Sequence, residues 1–251
     1  MFQSLGENTT SDPPVVYLPG IEGSGALAAQ FLLGAENVFN VTRLHYPGHN
    51  RMSLEEMADG CVSALGENGN GSAIWLGDSF GSAVALTIAL RHPRATRGLI
   101  LAGGLTRAPG VSRTLAAARM WDMLPSDWRN SLLRRRLMNL VRKHPARLLR
   151  SVADDFLANG QMDYVSWRMR LLAAFDVRPY LDQIDVPVLY LGGEDDGIVE
   201  TQEEARIIRE RVTEGRTFLF PGCGHFVLGE RADECLELIG CFVLLAKRVA
   251  A

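Results

Sequence analysis

The sequence predicts an α/β fold in which a mostly parallel central sheet carries helices on both faces. Short apolar runs alternate with stretches of helical pattern along most of the 251 residues, and this rhythm favours parallel strands joined by helical crossovers. The apolar run 72–76 leads directly into the pentapeptide Gly77–Gly81 (Gly-Asp-Ser-Phe-Gly), after which residues 82–90 form a helical pattern. A central segment, 106–178, lacks strand signals and is interpreted as a helical insertion.

Each strand is predicted from an apolar run that stops at turn residues, and each helix from the pattern between two such runs. Ser53, followed by early acidic residues, is expected to cap a helix, and Pro93 to end the one after the pentapeptide. The predicted strands are 14–18, 38–44, 72–76, 99–102, 186–191 and 217–220. The predicted helices are 25–34, one that begins at Ser53, 82–90, 113–123, 128–143, 145–159, 162–175 and 231–248.

These elements divide the chain into a core and a cap. The core is predicted to comprise residues 1–105 and 179–251, and the inserted helical cap, or lid, residues 106–178. A chain of this length with 47% hydrophobic residues can bury a sizeable core in one α/β domain.

Composition limits the binding partners and the cellular compartment that are expected for the protein. A formal charge of −3 gives no whole-chain argument for nucleic-acid binding. No apolar run reaches the roughly 18 residues of a membrane span, and residues 1–14 lack a secretory pattern, so a cytoplasmic protein is expected. The four scattered cysteines suggest reduced thiols rather than disulfides or a zinc site, with Cys223 and Cys235 as packing residues.

Three strand ends carry residues suited to nucleophilic catalysis. The pentapeptide around Ser79 is typical of a nucleophile elbow, where small flanking residues let the backbone make a sharp turn that exposes the hydroxyl. Asp196 follows the fifth predicted strand in Gly-Glu-Asp-Asp-Gly, and His225 follows the sixth in Gly-Cys-Gly-His-Phe. The chain order serine, acid, histidine matches the elbow motif.

Together these motifs resemble the α/β-hydrolase fold superfamily over essentially the full chain. The segment Leu18–Gly25 (Leu-Pro-Gly-Ile-Glu-Gly-Ser-Gly) is similar to the oxyanion loop of bacterial esterases and thioesterases in that superfamily. The resemblance implies that the backbone N–H groups of Ile21 and Phe80 form the oxyanion hole. It also implies a catalytic triad of Ser79, Asp196 and His225 that needs no metal or organic cofactor.

Several residues compete for these roles. Asp195 and Glu194 are alternatives to Asp196, but the spacing within the resemblance selects Asp196. The rivals of His225 are His45, His49, His92 and His144. His92 and His144 precede prolines at predicted helix ends and are expected to be capping or exposed. His45 and His49 flank a Pro-Gly turn and are assigned a structural role, with lining of the substrate pocket as the alternative.

Two residues depart from the usual pattern of the superfamily. Glu22 lies within the oxyanion loop, where an inward carboxylate would oppose the developing negative charge, so it is expected to point to solvent. The alternative is that it points inward, where it would favour a cationic group on the substrate. Ser82 replaces a glycine that often follows the elbow and is expected to crowd the elbow helix slightly.

The resemblance implies a serine hydrolase that cleaves carboxylic esters or thioesters of small to medium acyl groups through an acyl-enzyme on Ser79. Acyl transfer to an alcohol is an alternative, since the same acyl-enzyme serves both reactions. A second alternative is a ligand-binding protein that retains the triad but does not turn over a substrate.

The predicted cap is basic. It contains fourteen arginine and lysine residues against six aspartates, a formal charge of +8. The simple explanation is that these side chains lie on solvated helix faces. The alternative is that this charge recruits an anionic acyl carrier such as acyl carrier protein or coenzyme A. The residues proposed for that contact are Arg134, Arg135, Arg136, Arg142, Lys143, Arg147 and Arg150.

The cap also contains candidates for an acyl pocket. These are the tryptophan and methionine side chains at 121, 123, 128, 138, 167 and 169, and the alternative is that they pack in the hydrophobic core.

Overall fold

Six parallel strands form the central sheet of the protein. The structure, a computed structural model, describes residues 13–46, 50–67, 71–108, 110–129, 131–132, 135 and 162–249, and all structural statements refer to these. The strand order is β2-β1-β3-β4-β5-β6, and every neighbouring pair runs parallel. The strands are β1 Val15–Leu18, β2 Val41–Arg43, β3 Ala73–Asp78, β4 Thr96–Ala102, β5 Val188–Gly193 and β6 Gly215–Phe220.

Helices connect the strands and cover the sheet. The described α-helices are α1 Ala29–Glu36, α2 Leu54–Glu67, α3 Phe80–Arg91, α4 Val111–Met123, α5 Met162–Ala174, α6 Thr201–Arg211, α7 Val227–Glu230 and α8 Ala232–Val249. Helices α4 and α5 lie between β4 and β5 within residues 106–178, which are called the insertion below.

The period-two pattern of the strands divides the core between the two faces of the sheet. Val16, Leu18 and Trp75 pack with α2, α3 and α6 on one face. Their neighbours Val15 and Tyr17 pack with α1, α7 and α8 on the other. Because both faces are covered by helices, central strands can be apolar throughout, as the sequence pattern indicated. The predicted fold class is therefore confirmed.

The predicted elements agree with the structure apart from their ends and the part of the insertion that lies outside the described residues. The second strand is shorter than predicted because the N–H groups of Val38 and Phe39 both donate to Ala35 O at the end of α1. Those residues still belong to the helix terminus, and Val38 is 66% exposed. The predicted helix 145–159 and most of 128–143 lie outside the described residues.

The two ends of the insertion meet at the edge of the core. Arg107 and Asp176 form an antiparallel bridge, and the N–H of Val177 donates to Thr106 O at 3.0 Å. The buried carboxylate of Glu204 in α6 accepts hydrogen bonds from Thr106 N–H (2.8 Å) and Thr106 Oγ1 (2.6 Å). Its other oxygen accepts a bond of 2.8 Å from the guanidinium of Arg178. One side chain thus holds the entry and the exit of the insertion.

Replacing Glu204 by alanine is expected to lower the free energy of unfolding by about 3 kcal/mol, because it leaves a buried N–H and a partly buried arginine without their carboxylate. Chemical denaturation measures this. The matched control is the preceding residue, Glu203→Ala, which breaks an exposed pair with Arg206 and a 3.9 Å contact with Arg178 and should cost at most about 1 kcal/mol. Equal effects of the two substitutions would contradict the role of Glu204.

The cysteines are free, as predicted, and Cys223 and Cys235 are fully buried packing residues. None of the described helices combines the length and the apolar character required to cross a membrane.

Candidate active site

Ser79 occupies a strained turn between β3 and α3. Its φ of 51° and ψ of −110° place it in the left-handed half of backbone space, which non-glycine residues seldom adopt. A Cβ on Gly77 would lie 2.5 Å from Gly81 O, and one on Gly81 would lie 2.2 Å from Leu18 O. Only glycine fits at either position. Ser82 does not merely crowd this turn, because its hydroxyl donates to Gly77 O at 2.9 Å and links the two sides of the elbow.

The ends of β3, β5 and β6 bring Ser79, Asp196 and His225 into one hydrogen-bonded chain. Ser79 Oγ lies 2.8 Å from His225 Nε2, and His225 Nδ1 lies 2.8 Å from Asp196 Oδ2. The other carboxylate oxygen of Asp196 accepts the N–H groups of Ile198 (2.7 Å) and Val199 (3.0 Å). These two bonds fix the carboxylate plane, which in turn fixes the imidazole.

The environment of His225 favours its protonated form. Burial lowers the pKa of the ring, but the hydrogen bond and charge of Asp196, with the charges of Asp78 and Glu230 behind them, outweigh burial, so that the pKa is raised overall. Asp78, the residue before Ser79, is buried, and burial raises its pKa to about 6. Its carboxyl accepts the hydroxyl of Tyr17 at 2.9 Å, which opposes that rise.

None of the competing acids and histidines within the described residues takes part in the hydrogen-bonded chain of Ser79, His225 and Asp196. Asp195 and Glu194 are on the exposed side of the same loop, whereas the carboxylate of Asp196 has no exposed surface. His92 pairs with Asp59 at 2.7 Å near the surface. His45 is half-buried, and burial together with a nearby arginine lowers its pKa. His49 and His144 lie outside the described residues.

The loop after β1 passes beside Ser79. A Cβ on Gly20 would lie 3.9 Å from Ser79 Cβ, and the N–H of Gly23 donates to Gly20 O at 3.0 Å. In a trans peptide the N–H is directed opposite to the carbonyl, so this turn sets the direction of the Ile21 N–H. Phe80 is the first residue of α3, where backbone N–H groups are directed out of the helix end. Both predicted donors therefore belong to segments that adjoin Ser79.

The prediction that Glu22 points to solvent is wrong. Its side chain is buried, and it accepts hydrogen bonds from the N–H of Gly25 (2.8 Å) and from the backbone and hydroxyl of Ser24. Burial outweighs these bonds and the charge of Arg168, so the pKa of Glu22 is raised overall. The carboxylate stabilises the loop from inside, where local donors and a buried cation offset part of the cost of burying its charge.

Two further side chains hold the same loop and were not singled out by the sequence analysis. The guanidinium of Arg168, in α5, donates to Ile21 O at 2.8 Å, and the hydroxyl of Tyr46 donates to Pro19 O at 3.0 Å. Nothing in the local sequence pattern distinguishes Arg168 from the other arginines of the insertion. Only its burial, with 1% of the residue exposed, does so.

Most of the tryptophan and methionine residues proposed for an acyl pocket are exposed, half-buried or outside the described residues. Met123 and Trp128 are 84% and 68% exposed, so they do not line an enclosed acyl pocket. Trp121 is buried, and Trp167 donates through Nε1 to Met52 O at 3.0 Å. Met169 is half-buried and the residue at 138 lies outside the described part of the chain.

Part of the positive charge of the insertion is neutralised locally. Arg170 pairs with Asp122, and Arg178 pairs with Glu204 at 2.8 Å. Arg113, Arg119 and Arg135 are exposed. Of the seven residues proposed to contact a carrier, only Arg135 is within the described part of the chain.

The sheet order and the residues gathered at its carboxyl edge define an α/β-hydrolase. The chain belongs to the hydrolase family described as serine aminopeptidase, S33, whose model matches residues 48–232. It is 30% identical to pimeloyl-[acyl-carrier protein] methyl ester esterase from Sodalis glossinidius over 188 residues, 71% of this chain and 70% of that protein. It is 24% identical to proline iminopeptidase from Thermoplasma volcanium over 70% of this chain and 66% of that protein.

Solved structures share the fold across nearly the whole chain. MenH from S. aureus superposes with a TM-score of 0.83 at 17% identity, covering 98% of both chains. A thermophilic esterase from Thermogutta terrifontis gives a TM-score of 0.81 at 18% identity, covering 98% of this chain and 93% of its own. At these identities the likeness shows the fold and not the substrate.

Proposed function

We propose that the protein is a serine carboxylesterase or thioesterase that acts through an acyl-enzyme on Ser79. The observation that carries the proposal is the continuous chain of hydrogen bonds from Ser79 through His225 to Asp196 at the carboxyl edge of the sheet. Nucleophile, base and orienting acid are each within 2.8 Å of the next, which is the distance that proton transfer requires.

The geometry supports the following sequence of steps. His225 accepts the Ser79 proton as the hydroxyl oxygen attacks the acyl carbonyl, and Asp196 stabilises the imidazolium that forms. The N–H groups of Ile21 and Phe80 donate to the tetrahedral oxyanion. His225 then protonates the departing alcohol or thiol. A water molecule, deprotonated by the same histidine, attacks the acyl-enzyme and releases the acid.

A panel of p-nitrophenyl esters from acetyl to dodecanoyl, with matching thioesters, tests this proposal. Turnover with an optimum in chain length is expected, because a pocket of fixed size binds one range of acyl groups best. Failure of the folded protein to hydrolyse any member of the panel would contradict it.

The pH dependence of kcat/KM should report the pKa of His225. Only the neutral imidazole accepts the serine proton, so kcat/KM is expected to rise with pH through a limb centred above the ordinary histidine pKa of about 6.5. The raised pKa of His225 sets this direction. Asp78→Asn should move the midpoint to lower pH, since the charge of Asp78 contributes to that rise. A profile that is flat between about pH 5 and 8 is incompatible with His225 as the base.

We also propose that the insertion acts as a cap, with boundaries at 106 and 178, and that the natural acyl group is bound to an acyl carrier. The relative from Sodalis glossinidius bears a name that includes an acyl-carrier protein ester. Arg113, Arg119 and Arg135 place exposed positive charge on the insertion, and long-range attraction of this kind raises association rates with an acidic partner.

Salt dependence separates a carrier-bound substrate from a small ester. Between about 50 and 300 mM NaCl, kcat/KM for a methyl ester on acyl carrier protein should fall about tenfold, while that for a p-nitrophenyl ester stays constant. The double substitution Arg113→Glu and Arg119→Glu should reproduce the loss at low salt. Arg94→Glu, an exposed site on the core, is the control. Equal salt dependence of both substrates would exclude a charged carrier.

A further inference from the structure

Every peptide carbonyl around the Ile21 N–H is held by a hydrogen bond. Pro19 O accepts the Tyr46 hydroxyl at 3.0 Å, Gly20 O accepts the Gly23 N–H at 3.0 Å, and Ile21 O accepts the Arg168 guanidinium at 2.8 Å. The middle bond is local to the turn. The two outer bonds come from side chains that are distant in sequence, one before α2 and one in the insertion.

Arg168 is an unusual residue to find at this place. It is 1% exposed, although a buried arginine is costly unless its charge is compensated. Its guanidinium carbon lies 5.0 Å from the centre of the Tyr46 ring and 5.9 Å from that of Tyr164. The buried carboxylate of Glu22 contributes an opposite charge in the same region. The ring faces, the carboxylate and the loop carbonyl offset part of what the guanidinium loses by burial, and burial still lowers the pKa of Arg168.

We infer that Arg168 is a positioning residue for the oxyanion hole, through which the insertion holds the Ile21 N–H in line with Ser79. The inference rests on the proposed function. In this role Arg168 acts through the backbone of the loop and not on the reacting atoms. It fixes the peptide that follows Ile21, while Tyr46, whose ring it covers, fixes the peptide that precedes Gly20. Helix α5 is itself attached to the core through the neighbouring Trp167, which donates a hydrogen bond to Met52 O. The position of α5 and the direction of the Ile21 N–H therefore depend on each other.

The expected kinetic consequence is a loss in kcat with little change in KM. An oxyanion donor acts on the charge that develops in the transition state and not on the neutral ester. A shift of the donor by about 1 Å is enough to cost on the order of 100-fold in rate. Arg168→Met removes the hydrogen bond to Ile21 O and keeps most of the volume. Its kcat should fall about 10- to 100-fold, while KM stays within about threefold. Arg168→Lys, which keeps the charge and a donor, should restore part of the rate.

The decisive measurement compares these rates with the affinity for an acyl trifluoromethyl ketone. That inhibitor adds Ser79 to its carbonyl and places an oxyanion in the hole, so its inhibition constant should rise by the same factor by which kcat falls. All rates are expressed per active site titrated with a fluorophosphonate, which removes any contribution from unfolded protein. Arg170→Met, two residues further along α5 and paired with Asp122 at the surface, is the matched control and should keep both values.

Tyr46→Phe keeps the ring beneath Arg168 and removes only the hydroxyl, so it supplies a second test if Arg168→Met does not fold. It should lower kcat and weaken the trifluoromethyl ketone in parallel, by a smaller factor. The inference is overturned if kcat per titrated site is unchanged in Arg168→Met, or falls without any weakening of the inhibitor. If Arg168→Met does not fold, unchanged values in both Arg168→Lys and Tyr46→Phe overturn it. Wild-type protein without any ester turnover would instead contradict the proposed function.

Discussion

Ser79→Ala is expected to lower kcat by about 10⁵ to 10⁶ and to abolish labelling by a fluorophosphonate probe, because it removes the hydroxyl that is hydrogen-bonded to His225 and forms the acyl-enzyme. The residual rate over water would come from the oxyanion hole and substrate binding alone. Hydrolysis of the optimal p-nitrophenyl ester measures the first effect and mass spectrometry of the labelled protein the second. The exposed serine of α2, substituted as Ser63→Ala, should leave both unchanged.

A third variant separates loss of the nucleophile from loss of the fold. The φ of 51° at Ser79 is strained for serine and alanine, and glycine adopts such values without penalty. Ser79→Gly should therefore be as inactive as Ser79→Ala and more stable than wild type by about 1 kcal/mol in chemical denaturation. Appreciable turnover by either variant would show that Ser79 is not the nucleophile.

Asp196→Asn is expected to lower kcat by about 10⁴ without unfolding the protein. The reason lies in the hydrogen bonds around the carboxylate. The N–H groups of Ile198 and Val199 require an acceptor at Oδ1, so an asparagine must place its oxygen there and its NH₂ group against His225 Nδ1. That arrangement selects the tautomer that is protonated at Nε2, and such a ring cannot accept the proton of Ser79.

The neighbouring residue provides the control for this prediction. Asp195→Asn makes the same chemical change on the exposed side of the loop and should leave kcat within about twofold of wild type. The Asp196 variant should also react slowly with the fluorophosphonate, since the serine is no longer activated. A loss of less than about tenfold for Asp196→Asn would assign the orienting role to another group.

The sequence predicted those parts of the site that depend on local pattern. A nucleophile elbow requires glycine within two residues of the serine, and Gly77 and Gly81 make close backbone contacts that no side chain could replace. Strand ends are equally local, and because parallel strands place their carboxyl ends at one edge, Asp196 and His225 could be expected beside Ser79. The geometry brings these three side chains together.

What could not be predicted depends on residues far apart in the chain. The carboxylate of Glu22 was assigned to solvent because an inward charge would oppose an oxyanion. That reasoning omitted donors two and three residues ahead and the charge of Arg168, which is separated from the loop by more than half of the sequence. The pattern of helix α5 does not show that one of its arginines is buried. Burial of a charge is decided by its tertiary partners, which propensity and periodicity do not describe.

The junction at which the two ends of the insertion meet affects how the segment between them could change. Because Thr106 and Val177 are joined by a hydrogen bond and Glu204 holds both sides of the junction, the register of β4 and β5 does not depend on the segment between them. A segment of different length could begin and end at the same two residues at little extra entropic cost, since loop closure depends only weakly on length. The residues between Thr106 and Val177 could therefore be replaced while the sheet stays intact.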